Sequence, residues 1–181
     1  MSINCCLFDL DNCLICSLSP YEMRGSERKG IDLDLVDNGR YDLFVHPKAK
    51  ELIDYARCLV GIDNVYILTT ATKQYALEVN RLAEFGFTKK NIKAREDFYF
   101  PVRLGYGEQY PTFEKWSKNN VLIDDLPYDW QDRKTSYIGN IPTENYLEII
   151  PYNGVDLPGD EFEKKVMSFL DERMKADVES K

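Results

Sequence analysis

The sequence predicts an α/β fold, a doubly wound and mainly parallel sheet with a small inserted cap. Three observations carry this. Apolar runs of strand length recur at residues 3–10, 65–69 and 121–123. Segments with apolar residues at helical spacing lie between and after them. Stretch 17–46 keeps neither period and holds Pro20, Gly25, Gly30 and Gly39 among several charges. A connection that long is unusual unless it is functional. Strands alternating with helices give a parallel sheet covered on both faces.

The elements follow in order. Residues 3–10 form a buried strand, since the run is too short for an ordinary helix. Residues 17–46 read as an inserted loop or small hairpin lobe. Pro47 opens a helix, as proline does at a first helical position. Its core face is Leu52, Ile53, Ala56, Leu59 and Val60, and Gly61 ends it. Val65-Tyr66-Ile67-Leu68-Thr69 is the second strand. Thr72 caps the next helix, whose core face is Tyr75, Val79, Leu82 and Ala83, and Gly86 stops it. Residues 92–100 read as a further strand, followed by an aromatic stretch with Tyr99, Phe100, Tyr106 and Tyr110. A short helix near 113–117 precedes the strand Val121-Leu122-Ile123. Residues 146–150 give one more strand, and 160–175 a final helix with Phe162, Val166, Phe169, Leu170 and Met174 on one face. The polar tail after Lys175 frays.

The 181 residues suit one domain, 1–181, with 17–46 inserted in it. A composition 44% hydrophobic and 30% charged is globular. No apolar run reaches membrane length and no leader pattern opens the chain, so no membrane partner is expected. Cys13-x-x-Cys16 could be a redox or zinc motif, but zinc needs further ligands and His46 is the only histidine. The five cysteines read as reduced thiols, which points to a cytoplasmic location. His46 itself reads as structural. The net charge of −8 disfavours a duplex nucleic acid partner.

The chemistry lies where the buried strands end. The first ends in Asp9-Leu10-Asp11, the second in Thr69-Thr70, the third in Asp124-Asp125. Ligands of open parallel sheets bind at the carboxyl ends of the strands, so these side chains project into one crevice. Each pair has a plainer reading alone: acids at a turn, a helix entry, a cap before Pro127. Together they are specific. Four carboxylates at one sheet edge repel one another, and a hard divalent cation, Mg2+, relieves this. A metal, carboxylates and a threonine hydroxyl suit phosphoryl transfer through a carboxylate nucleophile.

Cys6-Leu7-Phe8-Asp9-Leu10-Asp11-Asn12 resembles the first motif of the haloacid dehalogenase superfamily of phosphatases. Leu68-Thr69-Thr70-Ala71 is similar to its second motif, and Leu122-Ile123-Asp124-Asp125 to its fourth. Val45-His46-Pro47 is similar to the segment leading into these enzymes' first helix. The resemblance implies that Asp9 attacks phosphorus and ligates Mg2+. Asp11 would protonate the leaving alcohol, activate water, and bind the metal through its backbone carbonyl. Thr70 would bind a phosphate oxygen, with Thr69 the other choice. Asp124 would be the third metal ligand and Asp125 its support. Asn12 is a substrate-binding candidate. The third motif should supply a Lys or Arg. Arg103 is favoured over Lys115 and Lys118, with Lys115 kept as a substrate-binding candidate. Arg24, Arg28 and Lys29 could meet an anionic substrate at the inserted lobe.

Two branches compete for the substrate, a small phosphorylated molecule or a phosphopeptide. Ile123-Asp124-Asp125-Leu126-Pro127 resembles the nucleotidases. Tyr75-Ala76 after Thr70-Ala71 is similar to phosphatases acting on phosphoserine in polymerase tails. The reading favours a nucleotide or similar small phosphate. A polynucleotide end-repair phosphatase is disfavoured by the acidic charge. A signalling receiver domain would need a carboxylate where Thr69-Thr70 stand, and a non-catalytic binder has no need of both Asp9 and Asp11.

Overall fold

A computed structural model describes residues 3–24, 29–35, 39–98, 119–128, 141–154 and 160–175. Strand β1 (Cys5–Asp9) is the centre of a five-stranded parallel sheet. Its neighbours are β5 (Val65–Leu68) and β7 (Asn120–Asp124), with the two-residue β6 (Ile92–Lys93) and β8 (Tyr146–Glu148) at the edges. The spatial order is β6-β5-β1-β7-β8. The chain winds outward from β1 in one direction through β5 and β6, then in the other through β7 and β8. The strand order therefore reverses beside β1, which places the ligand crevice at its carboxyl end.

Alternation along β1 feeds both faces. Cys6 and Phe8 join the larger core with Leu52, Ile53 and Ala56 of α1 (Ala49–Val60), Ala76 and Val79 of α2 (Lys73–Leu82), and Val166 and Leu170 of the C-terminal helix Glu161–Lys175. Leu7 joins a smaller cluster with Leu68, Leu122 and Tyr146 on the opposite face. Among the described residues, no helix is long and apolar enough to cross a membrane. All five cysteines are free thiols.

Several boundaries differ from the sequence expectation. Of the loop and the hairpin lobe expected at 17–46, the described residues form the lobe, and it starts earlier: β2 (Ile15–Leu18), β3 (Ile31–Leu35) and β4 (Gly39–Val45) form an antiparallel sheet of order β2-β4-β3. Alternation drives it, since Leu33 is buried while Asp32 and Asp34 face solvent. Pro47 does not open α1. The His46 carbonyl accepts the Ala49 N–H at 2.9 Å in a turn, and the helix begins at Ala49. Gly61 does end it, at φ 89°. Gly86 does not stop α2, which finishes at Leu82. Glu84 already adopts φ 53°, and the Asn80 side-chain amide brackets Phe87, accepting its N–H at 3.0 Å and donating to its carbonyl at 3.1 Å. Residues 92–100 are not one strand. After Lys93 the chain forms a short helix, α3 (Arg95–Phe98). The C-terminal helix, α4, lies where the apolar spacing predicts it. The expected helix at 113–117 and the aromatic residues Tyr99, Phe100, Tyr106 and Tyr110 lie outside the described residues.

Candidate active site

Asp9 closes β1 and Asp124 closes β7, and Asp125 follows directly. All are buried, and one carboxylate oxygen from each lies within 4.8 Å of the others. Asp124 Oδ1 also accepts the Leu126 N–H at 3.0 Å. Like charges this close and this dry are costly unless a cation lies among them. Their donor set is all oxygen, which fits Mg2+.

Beyond β1 the chain turns sharply. Asn12 takes φ 59°, a left-handed conformation that asparagine tolerates. Its N–H donates to the Ile15 carbonyl at 2.7 Å, and its own carbonyl accepts the Tyr152 N–H at 2.6 Å. The turn buries Cys13 next to the acids. Burial first, then the charges of Asp9, Asp124 and Asp125, push the Cys13 thiol well up. The thiol donates to the Ile123 carbonyl, with Sγ 3.9 Å from the oxygen.

The Asp11 carboxylate stands apart from the three-acid cluster. Tyr75, in the first turn of α2, donates its hydroxyl to Oδ1 at 2.5 Å. The Thr69 hydroxyl lies 3.4 Å from Oδ2. Desolvation raises the Asp11 carboxyl, with the bonds from Tyr75 and Thr69 opposing it. The Tyr75 hydroxyl is itself pushed up, by burial first and then by the Asp11 charge. Ser17 Oγ of β2 lies 3.1 Å from Tyr75 Oη.

The two threonines have different surroundings. Thr69 is 1% exposed, its N–H donates to the Lys93 carbonyl at 2.9 Å, and its Oγ1 accepts the Ala71 N–H at 3.1 Å. Thr70 is exposed, and its carbonyl accepts Arg95 Nε at 2.8 Å. Thr72 caps α2 as expected, accepting the Tyr75 N–H at 3.3 Å.

A cleft of about 250 Å3 opens beside Asp11, walled by Ser17 and Tyr41 of the small sheet, Thr72 at the cap of α2, Tyr75 within that helix, and Arg95 of α3. Sequence reading places Tyr75 on the core face of its helix and in the Tyr75-Ala76 resemblance, not beside Asp11, and passes over Ser17, Tyr41 and Arg95. Arg95 was within reach, because it follows the carboxyl end of β6. Reading that strand through to residue 100 moved its end away from the site. Asn12 sits exposed at the turn. Arg103, Lys115 and Lys118 lie outside the described residues, as does Arg28. His46 is buried, ringed by Tyr152 at 4.9 Å and Phe162 at 4.2 Å between centroids, with Nδ1 accepting the Lys48 N–H at 3.1 Å.

No protein-family model matches the chain, and no curated protein matches it. Solved structures do match in fold. One is that of Fcp1, an essential RNA polymerase II CTD phosphatase, with TM-score 0.50, 18% identity, 97% of this chain covered and 52% of the other. A second is a variant of the fission yeast RNA polymerase II CTD phosphatase Fcp1 bound to beryllium fluoride, with TM-score 0.50, 16% identity, and coverage of 97% and 54%. This chain thus spans about half the length of each. The likeness establishes the α/β architecture expected from the sequence.

Proposed function

We propose that this chain is a Mg2+-dependent phosphomonoester hydrolase acting through an aspartyl-phosphate on Asp9. The observation that carries the reading is the buried gathering of Asp9, Asp124 and Asp125 at the end of the central strand. Those three would hold the ion, with the Asp11 backbone carbonyl as a further oxygen. When bound, Mg2+ neutralises phosphate charge at a site that is otherwise acidic.

The chain's own residues supply the rest. An Asp9 carboxylate oxygen attacks phosphorus, and the bond from phosphorus to the leaving oxygen breaks. Asp11 gives that oxygen its proton. In the second half Asp11 takes a proton from water as the water attacks phosphorus. The bond from Asp9 to phosphorus opens, and inorganic phosphate leaves with Asp11 again protonated. A carboxyl raised by burial suits this acid–base duty. The Thr69 hydroxyl, buried and beside Asp11, suits the phosphate contact better than Thr70, which faces solvent. Arg95 at the cleft offers a cation to an anionic ester.

For the substrate, a phosphoserine or phosphothreonine peptide is favoured over a nucleotide. The support is the fold shared with Fcp1, whose substrate is a polymerase tail, over 97% of this chain. Residues 17–46 would act as the small cap, since Ser17 and Tyr41 wall the cleft. Five free thiols suit a reducing cytoplasmic setting.

The test is phosphate release from a generic aryl phosphate, with Mg2+ and with chelator, beside Asp9→Asn. Phosphoserine peptides and nucleotides follow as a panel. Mg2+-dependent release lost in the variant is expected, and turnover retained by Asp9→Asn would sink the covalent mechanism. Nucleotides outrunning peptides would reverse the substrate assignment. Silence across the whole panel would leave a non-catalytic binder.

A further inference from the structure

We infer that Tyr75 is a positioning residue that pins Asp11 through Oδ1, so that Oδ2 carries the proton exchanged with the ester and with water, while Ser17 holds Tyr75 in place. This rests on the phosphatase reading of the same site and adds a residue to it.

Proton counting gives the direction of each bond. Tyr75 Oη lies 2.5 Å from Asp11 Oδ1 and 3.1 Å from Ser17 Oγ. A phenol has one proton to give and can accept in return. An ionised carboxylate only accepts, so the Tyr75 proton goes to Oδ1 and the Ser17 hydroxyl donates to Tyr75. A proton placed on Oδ1 would then meet the proton of Tyr75. The conflict at Oδ2 is weaker. Thr69 Oγ1 donates to it at 3.4 Å, a longer bond than the one from Tyr75 to Oδ1, so Oδ2 is the more loosely held oxygen and the one open to exchange.

Tyr75 is both packed and tied to the helix cap. The residue is 9% exposed, and its backbone N–H is the group that the Thr72 cap holds at 3.3 Å. Helix entry, phenol and carboxylate therefore form one connected unit. Ser17 brings the small antiparallel sheet into contact with it. Asp11 is pinned by two different elements, α2 directly and β2 through the phenol.

The experiment is a series of substituted aryl phosphates from p-nitrophenyl to phenyl, read as kcat/KM with Mg2+. A nitrophenolate departs readily without a proton, whereas a phenolate depends more on the acid. Tyr75→Phe is expected to lose at least about tenfold more on phenyl phosphate than on p-nitrophenyl phosphate. Ser17→Ala is expected to lose in the same order and by less. In an Asp11→Asn background, Tyr75→Phe should add no further loss, since the group it positions is gone. Equal losses along the series, or a full additive loss in that background, would overturn the assignment while leaving the phosphatase reading intact. A wild-type chain silent on the whole series and on phosphopeptides would take both down. If Tyr75→Phe fails to fold, Ser17→Ala carries the same comparison.

Discussion

Asp9 and Asp124 leave neighbouring parallel strands one residue beyond the same rung, because Phe8 pairs with Ile123. With Asp125 next to them, they concentrate negative charge at the buried edge of the sheet. Added Mg2+ is therefore expected to raise the melting temperature. A ligand at a hundred times its Kd stabilises by about 2.7 kcal/mol. Asp124→Asn should melt higher than the wild type without metal, since one repelling charge is gone, and should lose most of the Mg2+ gain. Thermal melts with Mg2+ and with chelator check this. A wild-type melt indifferent to Mg2+ would count against the metal site.

Asp11→Asn should trade activity for stability. The folded pKa of Asp11 is raised by desolvation. The stability tied to its protonated form is thus present at low pH and lost as pH rises through the folded value. Above that value the fold carries an ionised, desolvated carboxylate, and asparagine removes that penalty. Turnover should fall by about 10²- to 10⁴-fold while the melt rises. A variant that loses activity and stability together would contradict this.

Thr69→Val and Thr70→Val separate the two threonines. Removing the Thr69 hydroxyl strips a partner from the Ala71 N–H and from Asp11. The expected destabilisation is about 1–3 kcal/mol, with a clear loss of kcat. Thr70→Val should stay within about 0.5 kcal/mol, because that side chain is exposed. Denaturant melts and steady-state rates decide it. The reverse order would return the role to Thr70.

His46 gives the fold an acid limb. Burial lowers its folded pKa to about 4 from 6.5. Between those values the unfolded chain holds a proton that the folded chain refuses. The stability tied to neutral His46 is present above about 6.5 and is lost as pH falls towards 4. The change is on the order of 3 kcal/mol. Denaturant titrations from pH 7 to about 4 should show this slope in the wild type. His46→Gln should flatten that part of it. An unchanged slope in the variant would assign it to other groups.

The central strands were legible because β1, β5 and β7 are buried enough to be written in unbroken apolar runs. Asp9, Asp11 and Asp124 were legible as candidates for the same reason, since each stands where such a run stops, whereas the two threonines after Leu68 look alike in sequence, which favours Thr70, and differ in burial. The edge of the sheet was harder. Residues β6 and α3 share one stretch in which two strand residues are followed at once by a helical turn. Its polar residues carry the signal: Asp97 accepts the Ala94 N–H at 2.9 Å, and Glu96 accepts the Lys73 N–H at 2.7 Å. Acids in a first turn mark a helix start. Tyr75 could be placed on its helix, but not against Asp11, since that contact joins residues 64 apart in sequence. A pairing that distant has no local periodicity to announce it.

The small antiparallel sheet leaves and rejoins the main fold at one place. Ile15 pairs with Val45, and the His46 N–H donates to the Leu14 carbonyl at 2.9 Å. The two ends of the excursion are clasped together, while Leu33 and Leu43 farther out sit in the same core as β1 and α1, so it is held along its length and not at its root alone. Ser17, two residues beyond the clasp, reaches Tyr75 and through it Asp11, so exchanging the excursion for another would change how Asp11 is held even with every acid in place.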